Sequence, residues 1–263
     1  MKLLTLNCHS WQEENQLEKI AYIAKTINEK NYDVIALQEV SQLINEEVLH
    51  DNIKKNNFVV LLQDELKKLG NNDYKFFWDV AHIGYDIYEE GLCLMTKLPI
   101  VNKESFYISN SVDIGFWKSR KIVNMTVMYN DKEIDLYSCH LGWWNDEEEP
   151  FNNQFDNLIK NIKNNKLAFV MGDFNNNANI RDEGYDYICK SLIDTYNLAI
   201  EKDNGTTVKG KIAGWDKNKE DLRLDLILTN KELKVIKSNV IFNNTNKNIV
   251  SDHYGVEVLV EID

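Results

Sequence analysis

The stretch Lys2-Leu-Leu-Thr-Leu-Asn7, taken together with Asp33-Val-Ile-Ala-Leu-Gln38, decides the class of fold. Both stretches are short apolar runs, and such runs predict buried strands. Between them, apolar residues recur at helical spacing over residues 17–27. A strand, a helix and a second strand in this order form a β-α-β unit, so the chain opens as an α/β protein.

Downstream of this unit the pattern predicts two more helices and eight more strands. The helices are expected at 56–69 and 152–164. The strands are expected at 91–97, 100–108, 120–129, 133–139, 167–171, 224–229, 233–242 and 254–261, and the first four are consecutive runs separated by turn residues such as Asn130-Asp131. Strands joined by short turns favour antiparallel pairing. The predicted helices and strands together indicate a mixed α/β protein with enough strands for two sheets.

Length and charge restrict the function. The chain has 263 residues with no Gly/Ser-rich linker, so a single domain spanning 1–263 is expected. It carries 42 acidic and 30 basic side chains, a formal net charge of −12, which excludes a basic nucleic-acid coat. Without an export signal, a long apolar run or paired cysteines, the sequence favours a cytoplasmic protein that does not enter membranes.

Polar residues stand where the predicted strands end. Asn7 and Glu39 follow the first two strands, His140 and Asp173 follow two later ones, and Asp252-His253 precede the last. Each alone is more often a cap, a solvated strand end or a satisfied histidine. As a set they indicate a ligand-binding rim, because strand ends in α/β proteins gather such residues at one edge.

In these same segments the chain resembles the endonuclease/exonuclease/phosphatase superfamily, the Mg²⁺-dependent phosphoesterases that include DNase I-like nucleases, sphingomyelinases and inositol or sugar phosphatases. The likeness runs in order from residue 5 to residue 258. Its pieces are Thr5-Leu-Asn7, Leu37-Gln-Glu-Val40, Glu90-Gly91, Lys97-Leu-Pro-Ile100, Ser138-Cys-His-Leu141, Met171-Gly-Asp-Phe-Asn175, Arg223-Leu-Asp-Leu-Ile227 and Ser251-Asp-His-Tyr254. The resemblance implies a four-layer α/β/β/α sandwich with two mixed β-sheets packed face to face.

The resemblance also implies a metal site. Glu39 is similar to the principal Mg²⁺ ligand of the family, with Asn7 close by and Asp252 helping to hold the ion or its waters. Oxygen ligands suit a hard cation, so Mg²⁺ is expected, with Mn²⁺ as the alternative.

The remaining catalytic roles also follow from the resemblance. Asp173 resembles the residue that orients and deprotonates the attacking water, and Asn175 and His253 resemble donors to phosphoryl oxygens. Asp225 is expected to fix the tautomer and charge of His253. His140 is expected to face the phosphate, paired with Glu90.

Substrate contacts are predicted from residue chemistry. Arg120 is either a phosphate clamp or a solvated cation at the start of a strand. Trp143, Trp144 and Trp215 either stack on substrate or pack loops onto the core. Two adjacent tryptophans on an extended segment cannot both point inward, so at least one of the first two is expected to face the cleft or solvent.

The expected function is hydrolysis of a small phosphorylated sugar by metal-assisted attack of water. The stretches 139–150 and 214–220 resemble bacterial maltose 6′-phosphate phosphatases, and the acidic residues that follow His140 are expected to bind sugar hydroxyls. A DNase I-like nuclease or another phosphodiesterase is the alternative, disfavoured because few Lys or Arg residues lie near the motifs. A catalytically silent binding module is a further alternative, although no residue of the motif is missing. The expected partner is therefore a small phosphorylated molecule, with neither nucleic acid nor membrane.

Overall fold

A computed structural model describes residues 1–262, and Asp263 lies outside the described residues. The strands are β1 (Lys2–Asn7), β2 (Val34–Leu43), β3 (Val48–His50), β4 (Ile53–Lys54), β5 (Lys75–Gly84), β6 (Tyr88–Thr96), β7 (Ile100–Tyr107), β8 (Lys121–Tyr129), β9 (Lys132–His140), β10 (Leu167–Asp173), β11 (Ile193–Asp194), β12 (Glu201–Lys202), β13 (Asp225–Thr229), β14 (Lys234–Ile241) and β15 (Gly255–Glu261). The helices are α1 (Gln16–Lys30), α2 (Phe58–Lys68), α3 (Phe151–Asn161), α4 (Gly184–Ile188) and α5 (Thr195–Leu198).

The first sheet has seven strands in the order β12-β14-β15-β1-β2-β6-β5. Strands β1 and β2 pair in parallel, with Asn7 opposite Gln38, and α1 connects them. The helix forms there because Ile20, Ile23 and Ile27 recur at helical spacing and bury one face. The predicted β-α-β opening unit is therefore confirmed.

The second sheet has six strands in the order β11-β13-β10-β9-β8-β7. It contains another parallel pair, β9 and β10, connected through α3, and in this pair Asp173 lies opposite His140. Strand β13 runs antiparallel to β10, so that Asp225, its first residue, lies opposite Asp173. The register therefore brings three polar residues of the second sheet to one edge.

Three apolar clusters separate the layers. Alternate residues of the strands point to opposite faces, so Leu3 of β1 packs between the two sheets with Met125 and Phe169, whereas Leu4 packs under α1 and α2. Phe155 of α3 belongs to a third cluster, on the outer face of the second sheet. The order is helices, sheet, sheet, helices, which confirms the four-layer α/β/β/α sandwich.

Strand β5 and the short strands β3, β4, β11 and β12 are not among the strands that the sequence pattern predicts. Strand β5 matters for function because it forms the edge of the first sheet and pairs with β6 beside the site described below. Within residues 1–262, no helix combines the length and the apolar character needed to cross a lipid bilayer.

Candidate active site

The two parallel pairs place their carboxyl-terminal ends at the same end of the sandwich, and this explains why distant residues meet. Asn7, at the end of β1, donates from Nδ2 to Glu39 Oε1 at 2.8 Å and to Asp173 Oδ2 at 3.2 Å. Asn7 and Glu39 belong to the first sheet and Asp173 to the second. One asparagine amide therefore links the two sheets at the centre of the site.

Glu39 occupies an unusual position in β2. Its φ of 51° lies in the left-handed region, where the pairing of β2 with β6 is interrupted between Leu37 and Val40. Such a conformation costs about 1–3 kcal/mol for a residue other than glycine. The fold maintains it because the Glu39 carbonyl accepts hydrogen bonds from the backbone and hydroxyl of Ser10.

The electrostatics around Glu39 suit a cation. Burial, together with the nearby carboxylates of Glu90 and Asp252, raises the pKa of Glu39 to about 8. Burial likewise raises the pKa of Glu90. Closely placed carboxylates with raised pKa values are stabilised when a cation neutralises them. Glu39, Asp252 and Asn7 offer oxygen atoms, so these residues fit a hard divalent cation such as Mg²⁺.

Asp173, His253 and Asp225 form a second group. His253 Nδ1 lies 2.9 Å from Asp225 Oδ2, and its Nε2 lies 3.7 Å from Asp173 Oδ2. Burial alone would lower the pKa of His253, but the two carboxylates raise it well above its usual value. The Asp225 carboxylate therefore holds an imidazolium whose other nitrogen faces Asp173, as the resemblance implies.

Asp173 combines burial with a strong positive neighbour. Burial raises its pKa to about 6, although the positive charge of His253 opposes this rise. Its Oδ1 accepts a 2.8 Å hydrogen bond from the backbone N–H of Asn175, which fixes the carboxylate plane. A carboxylate with a pKa near neutrality is suited to accept a proton from water.

His140 lies between the two groups. Its Nε2 is 3.6 Å from Asp173 Oδ2 and 3.9 Å from Glu39 Oε1. Burial, with the positive charge of Arg120 nearby, lowers the pKa of His140 well below its usual value. The ring is therefore neutral and can donate one N–H to a phosphoryl oxygen.

The expected pairing of His140 with Glu90 is not what the structure contains. Glu90 lies beside His82 instead, with 3.3 Å between His82 Nε2 and Glu90 Oε1. These two residues are direct cross-strand partners on β5 and β6. Burial lowers the pKa of His82 to about 3. The pairing could not be expected from the sequence because β5 itself was not predicted.

Arg120 is buried beside the acidic residues, just before β8. Only 4% of its surface is exposed, and its Nε has no hydrogen-bond partner within residues 1–262. Its guanidinium carbon lies 5.9 Å from the centre of the Trp143 ring. A buried donor without a partner costs about 1–3 kcal/mol, and more for a charged group, so the site is incomplete without an acceptor.

A cavity of about 500 Å³, a volume typical of a small-molecule site, is lined among others by Glu39, Glu90, Arg120, His140, Asp252 and His253. Asn7, Asp173 and Asp225 are not among its lining residues. Trp143 lines the wall with Trp117, their ring centres 6.1 Å apart, and Tyr85 lies near the mouth. Trp144 instead packs against Phe151 and Tyr187 outside the cavity. Only one of the adjacent tryptophans therefore faces the cleft, which agrees with the extended-segment argument.

Trp215 is also not among the lining residues. Its indole Nε1 donates to Asn175 Oδ1 at 3.3 Å, and its ring packs on a small cluster of Val208, Leu222 and Leu224. The structure therefore brings the indole of Trp215 to the side chain of Asn175 and not to the wall of the cavity.

The acidic loop after His140 has an internal role. Glu149 is buried and accepts hydrogen bonds from the backbone N–H groups of Asn110 and Ser111, at 2.8 and 2.7 Å. Asp146 forms an ion pair of 2.7 Å with Lys118. These carboxylates hold the segment that carries Trp117, a structural role that the sequence did not indicate.

His9 is a further cavity residue that motif matching did not identify. Its Nδ1 lies 2.7 Å from Glu13 Oε1 and 3.6 Å from Asp252 Oδ1. Lys19 forms an ion pair with Glu13, so the carboxylate is already neutralised. One signal in the sequence could have identified this pair: His9 and Glu13 lie close together and follow soon after Asn7.

Comparison with known proteins agrees with this geometry. The model of the Endonuclease/Exonuclease/phosphatase family matches residues 4–253. Among solved structures, an endonuclease/exonuclease/phosphatase family protein from Leptotrichia buccalis C-1013-b is 42% identical, with a TM-score of 0.92 and full coverage of both chains. No curated protein sequence matched the chain.

More distant structures share the fold. A mannosyl-6-phosphatase from Bacteroides thetaiotaomicron VPI-5482 is 17% identical, with a TM-score of 0.73 and full coverage of both chains. A humanised TDP2 from D. rerio is 14% identical, with a TM-score of 0.67, and the match covers 100% of this chain and 99% of that one. The family match over residues 4–253, with the convergence of Asn7, Glu39, Asp173 and His253, shows that this chain belongs to the Endonuclease/Exonuclease/phosphatase family and is a hydrolase of phosphoric esters.

Proposed function

We propose that the protein is a divalent-metal-dependent phosphomonoesterase that acts on a small phosphorylated sugar. The observation that carries the proposal is Arg120, a buried guanidinium with an unpartnered Nε, in the wall of the cavity that also contains Glu39 and Asp252. A guanidinium can hold a phosphoryl group through two parallel hydrogen bonds. The cavity therefore contains oxygen ligands for a cation and a donor for an anion. A site that binds a phosphate ester together with a metal ion needs both.

The protein side chains have separable roles in this mechanism. Asp173 takes the proton of the attacking water, which its pKa of about 6 allows at neutral pH. The imidazolium of His253 and the N–H of His140 donate hydrogen bonds to phosphoryl oxygens, and Arg120 orients the phosphoryl group. A divalent cation held by Glu39, Asn7 and Asp252, for which we propose Mg²⁺ with Mn²⁺ as the alternative, would act as a Lewis acid on the phosphoryl oxygen.

The charges that line the cavity and the net charge of the chain support a small substrate over a long polyanion. Arg120 is the one Lys or Arg among the described residues that line the cavity, whereas Glu39, Asp86, Glu90 and Asp252 all contribute carboxylates. Nucleic acids bind through several phosphate contacts, each needing a cation. The net charge of −12 leaves little counterion-release energy to gain from DNA.

The sugar part of the proposal rests on the aromatic wall and on likeness. Trp143 offers a ring face beside the phosphate donors, and such faces stack on apolar surfaces of ligands. The neighbour in B. thetaiotaomicron carries the name mannosyl-6-phosphatase. The resemblance of stretches 139–150 and 214–220 to maltose 6′-phosphate phosphatases makes maltose 6′-phosphate the first substrate to test.

A substrate panel tests the proposal. The purified protein is assayed in Mg²⁺, in Mn²⁺ and in EDTA with maltose 6′-phosphate, mannose 6-phosphate, an inositol phosphate, an aryl phosphate, an aryl phosphodiester, sphingomyelin and plasmid DNA. Asp173→Asn, purified in the same way, controls for contaminating phosphatases. We expect metal-dependent release of phosphate with the highest kcat/KM on a sugar phosphate.

Two results would overturn the assignment. Nicking of plasmid DNA, or cleavage of the diester, with a kcat/KM above that of every phosphomonoester would establish the phosphodiesterase alternative. Absence of turnover on the whole panel, combined with tight binding of a sugar phosphate, would favour a silent binding module.

A further inference from the structure

The carboxamide of Asn175 is held at both ends. Its Nδ2 donates to the carbonyl of Leu141 at 2.9 Å, and its Oδ1 accepts from Trp215 Nε1 at 3.3 Å. A backbone carbonyl can only accept a hydrogen bond, and an indole N–H can only donate one. These two partners therefore define which end of the amide is oxygen and which is nitrogen, a choice that side-chain shape alone leaves open.

This orientation leaves one donor free. Nδ2 carries two hydrogens, and the second has no acceptor within residues 1–262. Asn175 is buried, lines the cavity, and has a φ of 49° in the left-handed region shortly after the end of β10. The free N–H is thus available to a phosphoryl oxygen next to Asp173.

Trp215 belongs to a different part of the chain from Asn175. It sits in the loop between residues 208 and 222, which is closed by hydrogen bonds between Val208 and Leu222. Its own backbone N–H bonds to the carbonyl of Ile212 at 2.9 Å, which makes a tight turn. Gly214 in this turn has a φ of 79°, and a Cβ there would lie 2.5 Å from the Trp143 ring. One turn therefore touches both Asn175 and the aromatic wall beside Arg120.

We propose that Trp215 is a positioning residue, whose indole N–H fixes the carboxamide of Asn175 so that its free N–H meets the transferring phosphoryl group. The inference rests on the proposed function, because it assigns Asn175 a phosphoryl oxygen. If the indole N–H is lost, only the carbonyl of Leu141 still holds the amide, so the carboxamide is less firmly oriented and its free N–H meets the phosphoryl group less often. Trp215 thereby acts on the reaction only through Asn175.

A double-mutant cycle tests this dependence. Trp215→Phe keeps an aromatic ring on the Val208–Leu222 cluster but removes the N–H together with part of the indole, and the Asn175→Ala background separates the two losses. We expect it to lower kcat/KM by about 3- to 10-fold, the effect of one hydrogen bond, mostly in kcat. In an Asn175→Ala background the same substitution should change kcat/KM by less than about 2-fold, because the side chain through which it acts is gone.

A purely packing role gives a different pattern. In that case Trp215→Phe would cause the same loss with and without Asn175, and equal losses overturn the inference. The matched control is Tyr187→Phe, which removes an aromatic hydrogen bond to Asp156 away from the cavity and should leave kcat/KM unchanged.

The same cycle can be read without turnover. The Kd of inorganic phosphate is measured by calorimetry in Mg²⁺ for the wild type, both single variants and the double variant. Trp215→Phe should weaken phosphate binding only when Asn175 is present, and equal weakening in both backgrounds again overturns the inference. A wild type that binds phosphate but hydrolyses no ester would refute the proposed function while the binding cycle still decides the role of Trp215.

Discussion

Replacing Glu39 with glutamine should stabilise the metal-free protein at neutral pH, even though it removes a predicted metal ligand. Burial, with Glu90 and Asp252 nearby, raises the pKa of Glu39 to about 8 from an ordinary value of 4.5. The unfolded chain loses this proton near pH 4.5, whereas the folded chain keeps it until about pH 8. Because the folded state binds more protons in this window, its stability falls as the pH rises through it.

The size of the effect follows from the shift. At pH 7 the folded state is penalised by about 1.4 kcal/mol for each of the roughly 2.5 pH units above the ordinary value, or about 3 kcal/mol. Glutamine has no proton to lose, and its Oε1 can keep the hydrogen bond from Asn7 Nδ2. Glu39→Gln should therefore raise the free energy of unfolding by about 2–3 kcal/mol at pH 7, and by under about 1 kcal/mol at pH 5.

Urea unfolding in EDTA at both pH values measures this difference, and a repeat in excess Mg²⁺ measures the linkage to the metal. Mg²⁺ should stabilise the wild type, because a ligand that binds only the folded state shifts the equilibrium toward it. It should stabilise Glu39→Gln far less. Glu104→Gln, on an exposed part of β7, is the control and should stay within about 0.5 kcal/mol of the wild type. A variant that is equally destabilised at pH 5 and pH 7, or that responds to Mg²⁺ like the wild type, would refute this account of Glu39.

Further predictions concern the reaction itself. Asp173→Asn should lower kcat by about 10²- to 10⁴-fold, the usual contribution of a positioned base, and near-normal turnover would show that the role is misassigned. His253→Ala should fall in the same range and Asp225→Asn by less, because Asp225 acts through His253; steady-state kinetics with circular dichroism as a folding control compares them. The Mg²⁺ concentration for half-maximal activity should fall as the pH rises from about 6 to 8, because protons compete with the cation for the carboxylate of Glu39, and a pH-independent requirement would contradict this. Trp143→Ala should lower kcat/KM for the sugar phosphate. The corresponding loss of transition-state stabilisation should be about 1–3 kcal/mol, on the scale of base–aromatic stacking. It should leave an aryl phosphate almost unaffected, and equal losses on both would assign the ring to the fold.

The sequence was sufficient for the residues whose position follows from strand order. Asn7, His140 and Asp173 end strands that the apolar pattern predicts, and parallel pairing carries strand ends to one edge. Asp225 meets Asp173 because an antiparallel neighbour begins where its partner ends. The apolar pattern and the order of the strands therefore predict the position of most residues of the candidate site.

Contacts that depend on side-chain packing between distant segments could not be predicted. His82 reaches Glu90 only because β5 pairs with β6 in a particular register. Glu149 is acidic and sits in a polar loop, so nothing local distinguishes a sugar ligand from an anchor for the backbone at Asn110. Likewise, the indole of Trp215 could stack on substrate or bond to Asn175, and only the path of the loop decides.

The location of Asn7 and His253 has a consequence for biosynthesis. Strand β1 pairs with β15, so residues from opposite ends of the described chain stand side by side at the cavity. A ribosome releases the amino-terminal part first, and domains tend to fold as units during synthesis. A nascent chain that ends before Ser251 has neither the antiparallel partner strand of β1 nor His253, whose imidazolium faces Asp173. A chain truncated before Ser251 is therefore expected to lack hydrolytic activity towards phosphate esters.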